Sequence, residues 1–143
     1  MAITQGMATS FKVQLLNGLQ NFSSNTFKIA LYTSAATLGE STTAYSATNE
    51  VPSTGNYTAG GNTLTVNVTP TSSGNVAYVS FANTTWSNAT ITANGALIYN
   101  NTYGNAAVAV LAFGGDKTST DGDFTINFPT ADATSAIIRL TAS

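Results

Sequence analysis

The chain has 143 residues and a formal net charge of −2, with four Lys or Arg, six Asp or Glu, no His and no Cys. Lack of cysteine excludes a disulfide framework and thiolate chemistry, and lack of histidine removes the commonest general base and metal ligand. Charged residues make up only 7%, against roughly 25% in ordinary soluble domains, and the polarity comes instead from Thr, Asn, Ser and Gly. The basic residues Lys12, Lys28, Lys117 and Arg139 are scattered, so no cluster exists to displace counterions from a phosphate backbone, and nucleic acid is not an expected partner. No run approaches the roughly 18 apolar residues that span a bilayer, so no membrane association is expected. The start, Met1-Ala2-Ile3-Thr4-Gln5-Gly6-Met7, has neither the basic end nor the apolar run of a secretory signal.

The length suits one domain, residues 1–143, with a real core. The first element expected is an amphipathic helix over 8–22. Thr9 or Ser10 can cap it, since either hydroxyl can accept a free first-turn N–H. Phe11, Leu15, Leu19 and Phe22 then recur at i, i+4, i+8 and i+11 on one face, with Leu16 beside them. That face either packs on the core or docks on a neighbouring protein. Residues 26–32 alternate as a strand, with Phe27, Ile29 and Leu31 on one side. Residues 34–57 lack periodicity and form a long loop, of the kind that is functional or partly disordered.

Gly60-Gly61-Asn62 turns the chain into a strand over 64–68, and 70–75 is a second turn before a strand at 76–81. Trp86 follows. The apolar runs 95–99 and 106–113 suit strands buried on both faces, joined by a hairpin connection over 100–105 that contains Gly104. Residues 114–122 read as another turn. Phe124, Ile126 and Phe128 alternate after it. A last strand at 135–141 puts Ile138 and Leu140 on one face and Ile137 and Arg139 on the other. About seven strands and one N-terminal helix predict a mainly β domain, an antiparallel β-sandwich or jelly roll.

Chemical signals are sparse. The carboxylates Glu40, Glu50, Asp116, Asp121, Asp123 and Asp132 form no nameable reacting pair, so no enzymatic activity and no cofactor are expected. Asp116, Asp121 and Asp123 are the only acidic cluster and are the candidate calcium ligands. Their spacing is not that of an EF-hand, Lys117 sits among them, and Asp-Gly is a favoured turn, so a plain turn is the simpler reading. Trp86 with Tyr45, Tyr57 and Tyr103 could form a sugar-stacking platform; the simpler reading makes Trp86 a core or interface anchor. Only Lys28 and Arg139 are charges inside expected strands. Runs such as 106–113 therefore lack the charges that usually guard strand edges. Either these strands are central, or neighbouring subunits cover them, which a symmetric homo-oligomer would supply.

The segment from Ala8 to Gly18 resembles the opening of a family of small virion proteins of tailed bacteriophages. Further stretches match in order: TFKIALYTSAATLG from Thr26, TAYSATNEV from Thr43, YTAGGNTLTV from Tyr57, TTWSNATITANGALIYNNT from Thr84, and AVAVLAFGGDKTSTDGDFTINFPTADATSAIIRL from Ala107. The resemblance runs from Ala8 to Leu140. In that family a basic residue often stands where this chain has Asn94. The resemblance implies a structural role and no catalytic residues. A particle protein would also reconcile a surface of extracellular character with the missing export signal, because it is made in the host cytoplasm and released by lysis.

The role expected on this basis is a capsid decoration, or cement, protein on the virion surface, with the major capsid protein and copies of itself, as a trimer at local threefold positions, for partners. The contact residues expected are Phe11, Leu15, Leu19, Phe22, Tyr45, Tyr57 and Trp86. A tail or fibre component, including a receptor-binding adhesin, is the alternative, and a self-assembling tube or fibre subunit the third.

Overall fold

A computed structural model describes residues 2–141. Among them the elements run β1 (Gly6–Met7), α1 (Thr9–Leu16), β2 (Phe27–Tyr32), β3 (Asn62–Thr63), β4 (Val66–Ser73), β5 (Val76–Phe81), β6 (Thr84–Asn100), β7 (Ala106–Ile126) and β8 (Ile138–Thr141). They form a five-stranded sheet in the order β1-β7-β6-β2-β3 and a three-stranded sheet in the order β4-β5-β8. Every pairing is antiparallel. The fold is mainly β and sandwich-like, as the strand spacing predicts.

The uncharged apolar runs form the centre of the large sheet. Residues 95–100 of β6 and 106–110 of β7 are all buried, as continuous apolar strands should be. Partners in antiparallel register share a face. Phe27, Ile29 and Leu31 of β2 therefore look the same way as Asn100, Ile98 and Ala96 of β6. On that side Phe22 stacks on Phe27 at 4.5 Å, Phe11 meets Phe22 edge-on at 6.0 Å, and Phe81 of β5 approaches Phe27 at 5.9 Å. These rings join the two sheets and α1, and each fully buried one contributes about 1.5–3 kcal/mol. The opposite face carries Tyr99, on which Tyr45 stacks at 4.7 Å.

Several expectations change. The helix is eight residues long, Thr9–Leu16, not 8–22. Ala8 is its N-cap and no side chain caps it; the Ser10 hydroxyl is buried without a partner. The helix stops because Asn17 and Gly18 turn the chain, Gly18 at φ +70°, so Leu19 and Phe22 lie beyond the helical face. The expected turn at 114–122 is strand. β7 runs through it opposite β6, with register shifts that absorb extra residues between Ala112 and Lys117 and again at Asp121. Gly114 (φ +76°) and Asp121 (φ +48°) take the left-handed backbone there, as bulges require. The turn expected over 70–75 narrows to Gly74-Asn75, since Ser73 pairs with Val76. Pro70 instead sits in the edge strand β4 beside a register shift, where proline is tolerated.

The edges of the large sheet are closed by the chain itself. On β7, Ala109 and Val110 pair with β1, Ala8 N–H donates to Val108 O at 2.9 Å, and Ala107 N–H donates to Thr43 O at 3.0 Å. On β2, Lys28 and Ile29 pair with β3, and Val51 N–H donates to Leu31 O at 2.9 Å. Of the two explanations for the unguarded runs, the chain thus shows the first: they are central strands. The 34–57 loop is part of that closure and packs on the sheet, with Ala36, Val51 and Tyr57 buried.

Candidate functional site

Phe11 and Phe22 are buried and anchor α1 rather than offering a contact surface. Leu15 and Leu19 differ from them. Leu15 is half-buried and lines an apolar cleft of about 260 Å³ with Phe22, Tyr78, Val79, Ile138 and Leu140. Leu19 is 41% exposed, Val13 54%, Leu16 90% and Leu140 48%. Leu15 of α1 and Leu140 of β8 thus both line this cleft, while Val13, Leu16 and Leu19 are further exposed apolar side chains on and just after α1. Sequence periodicity missed Leu16 and Val13 as surface residues. The available signal was the spacing of Val13 and Leu16, which at i and i+3 share a helix side about 100° or more from Phe11 and Leu15.

A second cleft, of about 560 Å³, lies along the far half of β7, with Phe113, Phe124, Phe128 and Ile137 at its apolar part and Gln5, Lys117 and Asp123 beside them. Trp86 and Tyr57 do not line either cleft. Trp86 is 4% exposed and Tyr57 2%, and their rings are 5.8 Å apart, with Phe124 at 6.2 Å from Trp86. Both are core, so no sugar can stack on them, and the platform reading fails. Tyr103 is exposed on the β6–β7 connection, away from that pair.

The acidic residues are spread along β7 rather than gathered in a loop. Asp116 accepts from Asn94 Nδ2 at 2.9 Å, Asp121 from the Thr90 hydroxyl at 3.4 Å, and Asp123 from Asn88 N–H at 3.4 Å. Among the described residues no three His, Cys, Asp or Glu side chains come together to hold a metal. Charges on a strand with an open edge have a simpler use: they discourage pairing with another chain. Asn94, where the resembling family often has a basic residue, meets Asp116 through a neutral amide instead.

The most developed polar site was not foreseen. Glu50 is 8% exposed, and its carboxylate accepts three hydrogen bonds. Oε2 accepts from the Tyr45 hydroxyl at 2.7 Å; Oε1 accepts from the Tyr57 hydroxyl at 2.6 Å and from Gly60 N–H at 2.7 Å. Such short bonds to an ionised acceptor are the strong class. Tyr57 Oη also accepts from Leu31 N–H at 2.9 Å, and the Tyr99 hydroxyl donates to Gly60 O at 2.7 Å. Burial raises the Tyr32, Tyr45 and Tyr57 hydroxyls well above the ordinary tyrosine range; hydrogen bonding to Glu50 adds to this at Tyr45 and Tyr57, and its charge at Tyr32. Tyr99 is pushed up to about 12, first by burial and then by the Glu50 charge. The cluster thus keeps its four tyrosine hydroxyls protonated at neutral pH, and its hydrogen bonds hold backbone segments together. In sequence, Glu50 reads only as one acid in a polar loop.

A buried amide plays the same role at the hairpin end. Asn100, fully buried, donates to Gln20 Oε1 at 2.7 Å and Asn25 Oδ1 at 2.8 Å, and accepts from Thr102 and Tyr103 N–H at 3.0 Å each. It ties the β6–β7 connection to the segment after α1.

No family model, no curated protein and no solved structure matches the chain.

Proposed function

We propose that this chain is a non-enzymatic structural subunit of a tailed-phage particle, and specifically a capsid decoration protein that binds the major capsid protein on the virion surface. The phage assignment rests on the resemblance running from Ala8 to Leu140. The observation that carries the mechanical role is the apolar cleft lined by Leu15 of α1 and by Tyr78, Val79, Ile138 and the exposed Leu140 of the small sheet, together with the exposed Val13, Leu16 and Leu19 on and just after α1. Exposed apolar side chains of this kind suit docking on a protein surface. A stable decoration contact buries about 800 Å² on each side, and the exposed leucines would form its desolvated centre. Phe11, Tyr57 and Trp86 are buried in the core and are not part of it, and Phe22 lines the cleft as a buried side chain.

Quantifying the protein in purified particles tests the reading. A copy number near that of the major capsid protein is expected. A count at the level of a tail part would overturn it and favour the tail or fibre alternative. The surface is tested separately with Leu16→Asp combined with Leu140→Asp. That variant is expected to fold normally and to lose binding to undecorated heads.

A further inference from the structure

The segment between β2 and β3, residues 33–61, closes both edges of the five-stranded sheet at once. At β7, Tyr45 N–H donates to Asn105 O at 2.9 Å and Ala107 N–H to Thr43 O at 3.0 Å, and Ala44 pairs with Ala106. At β2, Thr33 N–H donates to Asn49 O at 3.0 Å and Val51 N–H to Leu31 O at 2.9 Å. Both closures meet at Glu50, which binds Tyr45 from the first and Tyr57 and Gly60 from the second.

We propose that Glu50 is a latch and the 33–61 segment a strap, whose release opens residues 105–107, at the start of β7, to the matching 43–45 segment of a second copy of this chain. Guarding of β7 is divided along its length. Its far part carries Asp116, Lys117, Asp121 and Asp123, charges that block edge pairing. Residues 105–112 carry no charge at all; β1 and Ala8 guard 108–110, and the strap guards 105–107. Most strap side chains are exposed, with Ala36, Val51 and Tyr57 its buried apolar residues, so it opens more readily than the sheet centre. The occupant follows from the closed state. The edge already fits residues 43–45, and an identical segment from another copy makes the same bonds, which is the logic of domain swapping. No charge on 43–45 opposes the exchange. This inference is independent of the particle role and applies to the protein in solution.

Native-state hydrogen exchange on the wild-type protein is the first measurement. The amides of Tyr45, Val51 and Ala107 should exchange together and ahead of Leu97 and Ile98 in the sheet centre. Glu50→Gln, which keeps the shape but loses the charge, should speed the strap amides about tenfold or more while leaving the centre unchanged. It should also form dimers as concentration rises, with cross-links joining 43–45 of one copy to 105–107 of the other. Wild-type strap amides as slow as those of the centre would overturn the latch, even if Glu50→Gln failed to fold. A released strap on a chain that stays monomeric at every concentration would overturn the exchange.

Discussion

The two sheets share one chain and one antiparallel grammar, yet they are built for different surroundings. In β2, five of six residues are buried, whereas none of the eight in β4 is. The large sheet is covered on both faces and closed at both edges in its central part. In the small sheet, β8 buries Ile138 and exposes the rest, and Leu140 stands in the open beside α1. The difference teaches that stability is concentrated in one sheet and available surface in the other. The proposed docking role needs both, because a docking surface is useful only on a scaffold that does not rearrange.

The largest test of this division is a pair of truncations. Phe27→Ala, at the ring contacts joining the sheets, should lose about 3–5 kcal/mol, read as a lowered denaturant midpoint. Leu140→Ala should stay within about 0.5 kcal/mol. Equal losses would erase the distinction.

A glycine pair sharpens it. Gly61 (φ +76°) and Gly74 (φ +60°) share the left-handed backbone, but a Cβ at Gly61 would lie 1.7 Å from Ile29 O, while nothing lies within 4 Å at Gly74. Gly74→Ala should therefore cost only the conformational term, about 1–2 kcal/mol. Gly61→Ala adds displacement of the β2 backbone, a further ~1–3 kcal/mol. Thermal melts of the two variants measure the gap.

The smallest effect is in the pH dependence. Tyr99 has an ordinary value of 10.0 and is raised to about 12 in the fold. The folded state therefore holds its proton more tightly than the unfolded chain. The stabilisation is fully present below pH 10 and is lost as pH rises toward about 12. Tyr32, Tyr45 and Tyr57 shift in the same direction, and all four lie where the strap meets the large sheet. Alkaline unfolding, followed by tyrosinate absorbance together with strap exchange, should start at the strap, and Tyr99→Phe should make the stability loss less steep. A small sheet that opens first would reverse the order.

Particular residues show how far the chain could be read in advance. The uncharged runs 95–99 and 106–113 announced buried strands, although Leu111, Ala112 and Phe113 are only half-buried, and the alternation of Phe27, Ile29 and Leu31 announced one covered face. The hairpin at 100–105 was equally plain. The stretch 114–122 was not, because Gly and Asp at positive φ serve turns and bulges alike, and only the pairing with β6 distinguishes them. The Phe11–Phe22 periodicity named two core residues correctly in type but placed them on one helix. The turn at Gly18 needs only one left-handed residue, and local pattern does not reveal whether the chain takes it. Glu50 was illegible as a site, since its partners Tyr45, Tyr57 and Gly60 converge only after the strap folds back on β2.

Composition and periodicity by themselves determined a mainly β domain with uncharged strands at its centre, because burial on both faces demands unbroken apolar runs. Tertiary structure alone decided which aromatic rings became core and which leucines stayed outside. It also decided that a polar loop, with β1, closes the central part of the sheet's edges. Those outcomes depend on contacts between residues far apart in the chain, whose energies no local pattern contains.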